Sequence, residues 1–152
     1  MPAELERVLR VSAYAVCIED GRILLCRITP GATRESDGHW TLPGGGLDHG
    51  EHPREGVLRE LGEETGLSGE VTELLEVESL SAALPAWHEH PPTHFHALQI
   101  LYRVRVTGGT LRPEVGGTTD EARWVSLEEA QRLPIVDVVT LALRRIEPRP
   151  VD

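Results

Sequence analysis

The sequence predicts a mixed α+β fold, an α/β/α sandwich with a mixed β-sheet, a central helix and helices near the C-terminus. Two observations predict it: strand-like segments follow one another and pair locally, and helical segments occur only in the middle and at the end. The regular strand–helix alternation of a doubly wound fold is missing. The 152 residues fit one domain spanning 1–152.

The first half of the chain predicts a β-hairpin, a short strand and a helix. Asp20-Gly21 separates two apolar alternating segments and favours a two-residue turn. Three glycines come after the short strand that Pro43 ends, and they predict a glycine-rich turn. The first helix begins near Pro53 and ends at Gly66, because Pro suits a first turn and Gly a C-cap. The predicted strands of this half are 11–18, 22–28 and 40–42.

The second half predicts a long strand pair and then helices. A loop rich in Pro and His separates the two strands, and Thr107-Gly108-Gly109-Thr110 turns the second one back. Ser126, with Glu128 and Glu129 after it, is typical of a capped helix start, and Pro134 interrupts the helix that begins there. The predicted strands are 71–80, 95–106 and 123–125, and the terminal helix is 137–146.

Composition and charge exclude several classes of protein. The chain is 39% hydrophobic, and no apolar run approaches the roughly 18 residues of a membrane span. A formal net charge of -10 disfavours duplex nucleic acid and anionic membranes as partners. Residues 1–7 have no basic and apolar pattern of a secretory signal, so we expect a cytoplasmic protein. Nothing in the sequence indicates an oligomeric state.

Two residue types are missing, and their absence excludes further chemistry. All fifteen cations are Arg, so Schiff-base chemistry and the Walker Lys are excluded. The sequence also has no Asn and hence no N-glycosylation site. Cys17 and Cys26 lie in apolar segments and are expected to be buried free thiols.

The first predicted helix has an unusual acidic face. At about 100° per residue, Glu60, Glu63 and Glu64 fall within an arc of about 100°. A solvated acidic surface is the ordinary interpretation of such a face. Two features favour a site instead: the glycine-rich turn lies beside it, and Arg59 is in the same helical turn. A hard divalent cation with oxygen ligands suits three carboxylates that otherwise repel one another.

The same segment resembles the Nudix box. Gly45, five residues, Glu51, seven residues and then Arg59-Glu60-Leu61-Gly62-Glu63-Glu64-Thr65-Gly66-Leu67 meet all nine specified positions of that motif. The flanks, Leu42-Pro43-Gly44-Gly45 and Arg123-Trp124-Val125-Ser126-Leu127, are similar to the family as well. The resemblance implies the Nudix fold and hydrolysis of the pyrophosphate bond of a nucleoside diphosphate linked to another group.

The resemblance also implies a cofactor, Mg²⁺ or Mn²⁺, and roles for the residues of the box. The implied metal ligands are Glu60, Glu63, Glu64 and the carbonyl of Gly44. Arg59 is implied to orient the carboxylates, and Glu51 to support the loop or an outer metal ion. A metal ion would invert the local charge, which otherwise repels a small anionic nucleotide substrate.

The base that prepares the attacking water is left open between the box and a downstream loop. The downstream candidates are Glu114, Asp120 and Glu121, and we favour Glu121 because a loop of small residues precedes it. We predict catalytic roles for Glu60, Glu63, Glu121 and Arg59. Substrate contacts are predicted for Arg27, Arg34 and Asp120, since Arg offers a bidentate fork to phosphate.

Two questions stay open at this point. Substrate motifs do not separate nucleoside triphosphates from nucleotide sugars or ADP-ribose. The pairs His88, His90 and His94, His96 indicate zinc only weakly, without Cys or a helical motif. The alternative function is a Nudix-like sensor that binds a nucleotide without cleaving it; loss of box carboxylates would mark it, and this chain keeps them all.

Overall fold

The computed structural model describes residues 5–32 and 38–146. The helices among these residues are α1 (Pro53–Thr65), α2 (Leu127–Ala130) and α3 (Asp137–Ile146). The strands are β1 (Glu6–Val16), β2 (Ile18–Glu19), β3 (Arg22–Ile28), β4 (Trp40–Thr41), β5 (Gly44–Gly46), β6 (Leu67–Leu84), β7 (Thr93–Gly109) and β8 (Thr119–Ser126). Within the described ranges, no helix is long and apolar enough to cross a membrane.

The strands form two sheets. The first is mixed and has the order β5-β1-β7-β6, with β1 parallel to β7 and the other neighbours antiparallel. The second has the order β2-β3-β4, and β8 pairs with β3 along the other edge. The predicted turn at Asp20-Gly21 is present, since Glu19 pairs with Arg22 across it.

The two faces of β1 support two hydrophobic clusters, because successive side chains of a strand point to opposite faces. On one face, Ala13 and Ala15 pack with Val57 and Leu61 of α1. On the other face, Tyr14 and Val16 pack in a cluster that also contains Ala130 of α2 and the α3 side chains Val138, Val139, Ala142 and Leu143. Helices therefore cover both faces of the strands, which confirms the predicted α/β/α sandwich.

The predicted boundaries agree best where the signal is local. Arg22–Ile28 and Asp137–Ile146 match the prediction residue for residue. Ser126 caps α2, since its Oγ accepts a hydrogen bond from the Glu129 N–H at 3.0 Å. The paired strands β6 and β7 are much longer than predicted. The predicted glycine-rich turn also differs, because Gly44–Gly46 forms the edge strand β5 against β1.

Candidate active site

The acidic helix α1 is held by caps at both ends and by its apolar side. His52 precedes it, and its Nδ1 accepts a hydrogen bond from the Arg54 N–H at 3.0 Å. Gly66 ends it with φ 76°, a left-handed conformation that favours glycine. Val57 and Leu61 are fully buried against β1 and its neighbours. Packing of these two side chains turns Glu60 and Glu64 toward the glycine strand β5.

The glycines of β5 allow the helix to approach the backbone closely. A Cβ on Gly45 would lie 3.0 Å from Oε1 of Glu60. Gly44 has φ 153°, and a Cβ there would lie 2.3 Å from the carbonyl oxygen of Ala13. The N–H of Gly44 donates to Oε2 of Glu64 at 3.5 Å. Because side chains at Gly44 and Gly45 would collide with these neighbours, the carboxylates face bare backbone.

Arg59 is the centre of an ion-pair network, here called the Arg59 cluster, with Asp48, Glu51, Glu60 and Glu63. Its Nε and Nη2 donate to the two oxygens of Glu51 at 2.8 and 2.9 Å, a bidentate pair. Its Nη1 lies 3.1 Å from Oε1 of Glu60 and 3.2 Å from Oε2 of Glu63. Hydrogen bonding from Arg59 lowers the pKa of Glu51 to about 2. One cation therefore serves four carboxylates.

Glu64 is the buried member of the acidic face, with 2% of its surface exposed. Burial raises its pKa well above the ordinary value, and a hydrogen bond with Glu60 and the charge of Glu60 raise it further. The Gly44 N–H opposes this shift. Among residues 5–32 and 38–146, no Arg or His forms an ion pair with Glu64. The site thus has a surplus of buried negative charge that requires a proton or a cation.

Glu114, a carboxylate downstream of α1, adds to the negative charge of this site. The pKa of Glu114 is raised by partial burial first, and then by the charges of Glu60 and Glu63. The hydroxyl of Thr119 donates to Glu114 Oε2 at 3.5 Å. Glu114 therefore lies beside the box helix, although it is far downstream of the box in the sequence. That arrangement depends on the path of the chain before β8, which no sequence motif indicates.

Asp120 and Glu121 lie in a second network, here called the Arg27 cluster, with Arg27 and Arg123. Arg27 Nε lies 2.9 Å from Asp120, and its Nη1 lies 3.2 Å from Glu121. Arg123 Nε lies 3.5 Å from Glu121. Arg27 and Glu121 are cross-strand partners and share one face of the sheet. The structure brings Arg27, predicted to contact substrate, against the carboxylates of Asp120 and Glu121.

The position of Cys26 shows which face this is. Burial raises the pKa of the Cys26 thiol, and the nearby charge of Glu64 raises it further. Cys26 therefore points toward α1, and Arg27, the next residue, points away from it. Glu121 shares the face of Arg27, so the structure does not bring the favoured base Glu121 to the box carboxylates. It brings Glu114 there instead.

The types of ligand atom in the site suit a divalent cation, although the side chains do not surround one position on all sides. In the part of the chain that the structure describes, no three His, Cys, Asp or Glu side chains are spaced to hold one ion. Glu63 is half exposed and turned to Arg59. Glu60 and Glu64, in contrast, are adjacent carboxylates beside bare backbone, and hard divalent ions take such oxygen ligands. The residues present therefore fit Mg²⁺ or Mn²⁺.

The remaining predicted residues lie elsewhere. Arg34 falls outside the described residues. His88 and His90 flank Trp87 in the β6–β7 loop, with Trp87 stacked on His90 at 5.9 Å between ring centroids. His96 Nε2 lies 2.8 Å from the Ser79 hydroxyl on β6. Both thiols are buried and free, as predicted.

Comparison with known proteins agrees with the geometry. The profile of the NUDIX domain matches residues 6–143. A MutT-like protein of Streptomyces ambofaciens is 32% identical over 85% of this chain and 71% of its own length. An RNA pyrophosphohydrolase of Cereibacter sphaeroides is 37% identical over 59% of this chain, which spans only 60% of that protein. The crystal structure of a MutT NUDIX hydrolase from Burkholderia pseudomallei has a TM-score of 0.67 at 26% identity, covering 92% of this chain and 99% of that one.

Proposed function

The chain belongs to the NUDIX family, and we propose that it is a pyrophosphohydrolase of nucleotides, cleaving the phosphoanhydride bond of a nucleoside diphosphate linked to another group. The observation that supports this proposal above all is the buried carboxylate of Glu64, which lies beside Glu60 and the glycine strand and has no described cationic partner. A protein gains nothing in stability from buried like charges, so their retention favours a catalytic role.

The chemistry of the reaction is displacement at phosphorus by water. Mg²⁺ or Mn²⁺ would be held by Glu60, Glu64 and the Gly44 carbonyl, and would neutralise the phosphate oxygens and polarise the P–O bond. Glu63 would serve as an outer carboxylate, since it faces Arg59 and solvent. Arg59 fixes the orientation of Glu60 through the bond from Nη1, and its bidentate pair with Glu51 fixes Arg59 in turn.

Because Glu114 lies close to Glu60 and Glu63, we favour it as the base that activates the water. A carboxylate with a raised pKa, close to the box and only partly exposed, suits proton abstraction from water. Glu114 would take the proton on its carboxylate as the water oxygen attacks phosphorus. Glu121 remains the alternative of the sequence prediction, but it pairs with Arg27 and Arg123 on the face of the sheet that points away from α1.

For the substrate, we propose only that it contains a diphosphate group. The relatives of this chain include an RNA pyrophosphohydrolase, and nucleoside triphosphates, nucleotide sugars and ADP-ribose share the same diphosphate group. Arg27 is proposed as a phosphate contact, because both of its carboxylate partners lie at the surface and exchange readily with a ligand.

The test is a panel of triphosphates, nucleotide sugars, ADP-ribose and 5′-triphosphorylated RNA, incubated with Mg²⁺ and assayed for nucleoside monophosphate and pyrophosphate. We expect turnover of at least one class and complete loss of it in excess EDTA. The matched control is Glu128→Gln, an exposed carboxylate on α2 outside the site. Binding of a nucleotide without turnover would support the sensor alternative, and turnover that persists in EDTA would contradict the metal assignment.

A further inference from the structure

The strand β5 has a second face, opposite to the box carboxylates. Ala13, the partner of Gly45, lies on the α1 face of β1, whereas Ser12, the partner of Gly46, points to the opposite face. On that opposite face, a Cβ on Gly46 would lie 3.4 Å from Nε and 3.5 Å from Nη2 of Arg10. The guanidinium of Arg10 therefore lies against bare glycine backbone.

Arg10 differs from Arg59 in its partners. Arg59, which donates to the Gly46 carbonyl at 3.3 Å, is saturated by the carboxylates of its cluster. Arg10 is exposed, and no described carboxylate lies within ion-pair distance of it. An exposed guanidinium without a described carboxylate partner, on the opposite face of the glycine strand from the acidic site, keeps its donors available for an anion.

The edge position of β5 connects the two faces. β5 ends the mixed sheet, and its three glycines present no side chain to solvent. An extended anion lying over this edge can reach, on one face, the cation that Glu60 and Glu64 would hold and, on the other, the guanidinium of Arg10. A chain of two or more phosphates is such an anion, since it is narrow and has acceptor oxygens along its length.

We propose that Arg10 binds a phosphate group of the substrate across the glycine edge of β5, and that this contact sets the affinity for the phosphate chain. The inference rests on the proposed hydrolase function and adds to it a phosphate-binding residue outside the Nudix box. Arg10 contributes binding that is equal in the ground state and the transition state, so its loss should act on KM more than on kcat.

Arg7 is a matched control. It lies on the same strand, is exposed, and has no described ion-pair partner, but it is an odd number of residues away and points to the other face. It lines a separate cavity of about 670 Å³ with Leu9, His94 and His96, far from Gly46 along β1. Arg10→Ala and Arg7→Ala remove the same charge from the same strand.

The experiment measures kcat and KM for Arg10→Ala, Arg10→Lys and Arg7→Ala on the best substrate of the panel, with inorganic pyrophosphate as a competitive inhibitor. We expect Arg10→Ala to raise KM and the pyrophosphate inhibition constant about 10-fold or more, with kcat within about 3-fold. Arg10→Lys should recover part of the loss, because it keeps the charge without the fork. Arg7→Ala should match the wild type.

Three results would overturn the inference, and they are distinguishable. If Arg10→Ala and Arg7→Ala both have the kcat and the KM of the wild type, Arg10 has no role in binding phosphate, and the proposed function stays intact. An inactive wild type across the whole panel removes both. A loss in Arg10→Ala that is confined to kcat would also contradict a binding contact, and circular dichroism of each variant separates such a loss from misfolding.

Discussion

The Arg59 cluster and the Arg27 cluster are built from the same side chains but differ in charge balance and burial. In the first, one Arg serves four carboxylates, and Glu64 and Glu114 add further negative charge beside it. In the second, Arg27 and Arg123 balance two carboxylates. Arg59 is 28% exposed and Arg27 41% exposed. The Arg59 cluster therefore needs a cation, whereas the Arg27 cluster is neutral without one.

This difference in charge balance and burial distinguishes a candidate active site from a surface ion-pair network with similar residues. Both clusters combine Arg with carboxylates, and both have short N–O distances. What distinguishes them is whether a carboxylate is left without a cationic partner among the described residues. Beside the Arg59 cluster, Glu64 and Glu114 are left in this way, and substitutions that begin at Glu64 and move outward test the comparison.

Glu64→Gln should have the largest effect on activity. It removes the buried carboxylate that we propose as a metal ligand, and we expect kcat to fall about 10²- to 10³-fold. Stability without divalent ions should change in the opposite direction. Because the pKa of Glu64 is raised, the folded state loses stability as the pH rises above about 4.3, where the unfolded carboxyl ionises. Urea unfolding of the EDTA-treated variant should lack this decline, and Glu128→Gln should retain it.

Glu114→Gln tests whether Glu114, which adds negative charge beside the Arg59 cluster, is the general base. We expect kcat to fall at least about 10²-fold and the acid limb of the pH–rate profile to flatten. Glu121→Gln, its counterpart in the Arg27 cluster, should cost much less. The reverse order, with Glu121→Gln inactive and Glu114→Gln active, would restore the sequence prediction; full activity of both would place the base in the box.

Glu51 gives the Arg59 cluster a distinct acid sensitivity. Its pKa is lowered to about 2, chiefly by the hydrogen bonds from Arg59 and then by the N–H of Asp48. Its contribution to stability is complete above the unfolded pKa of about 4.3 and is lost as the pH falls from there through the folded value. The stability difference between wild type and Glu51→Gln, measured by urea unfolding, should shrink over that interval. A difference that is constant with pH would contradict the ion pair.

Arg27→Ala should have the smallest effect on stability. Its partners are about a third exposed or more, and exposed ion pairs contribute about 0 to 1 kcal/mol. Thermal unfolding should therefore differ little from the wild type. If Arg27 also contacts phosphate, KM rises while stability stays level. A large loss of stability would show that the Arg27 cluster is structural and would weaken the comparison.

Much of the fold was predictable from the sequence because its signals are local. The Asp20-Gly21 turn, the Pro53 start and Gly66 end of α1, and the Ser126 cap each depend on a few neighbouring residues. The strand character of Gly44–Gly46 was not predictable, because glycine has a low strand propensity and the strand exists only through pairing with β1.

The site was predictable in its residue types and not in its arrangement. The motif located Arg59, Glu60, Glu63 and Glu64, but neither the motif nor the helical spacing shows that Glu63 turns to Arg59. Choosing between Glu114 and Glu121 required the register of β8 on β3, which decides the face of each side chain. The phosphate contact proposed for Arg10 could not be inferred from the sequence, because its neighbour Gly46 is distant in the sequence and meets it only across the β1–β5 pairing.

The shared strand β1 has a consequence for cooperativity. Ala13 and Ala15 belong to the cluster under α1, and Tyr14 and Val16 to the cluster under α3. Neither cluster can open without releasing a strand that the other also needs, so the two layers are expected to unfold in one transition. The amides of this segment should then exchange with solvent only through global unfolding, at the slowest rates in the protein.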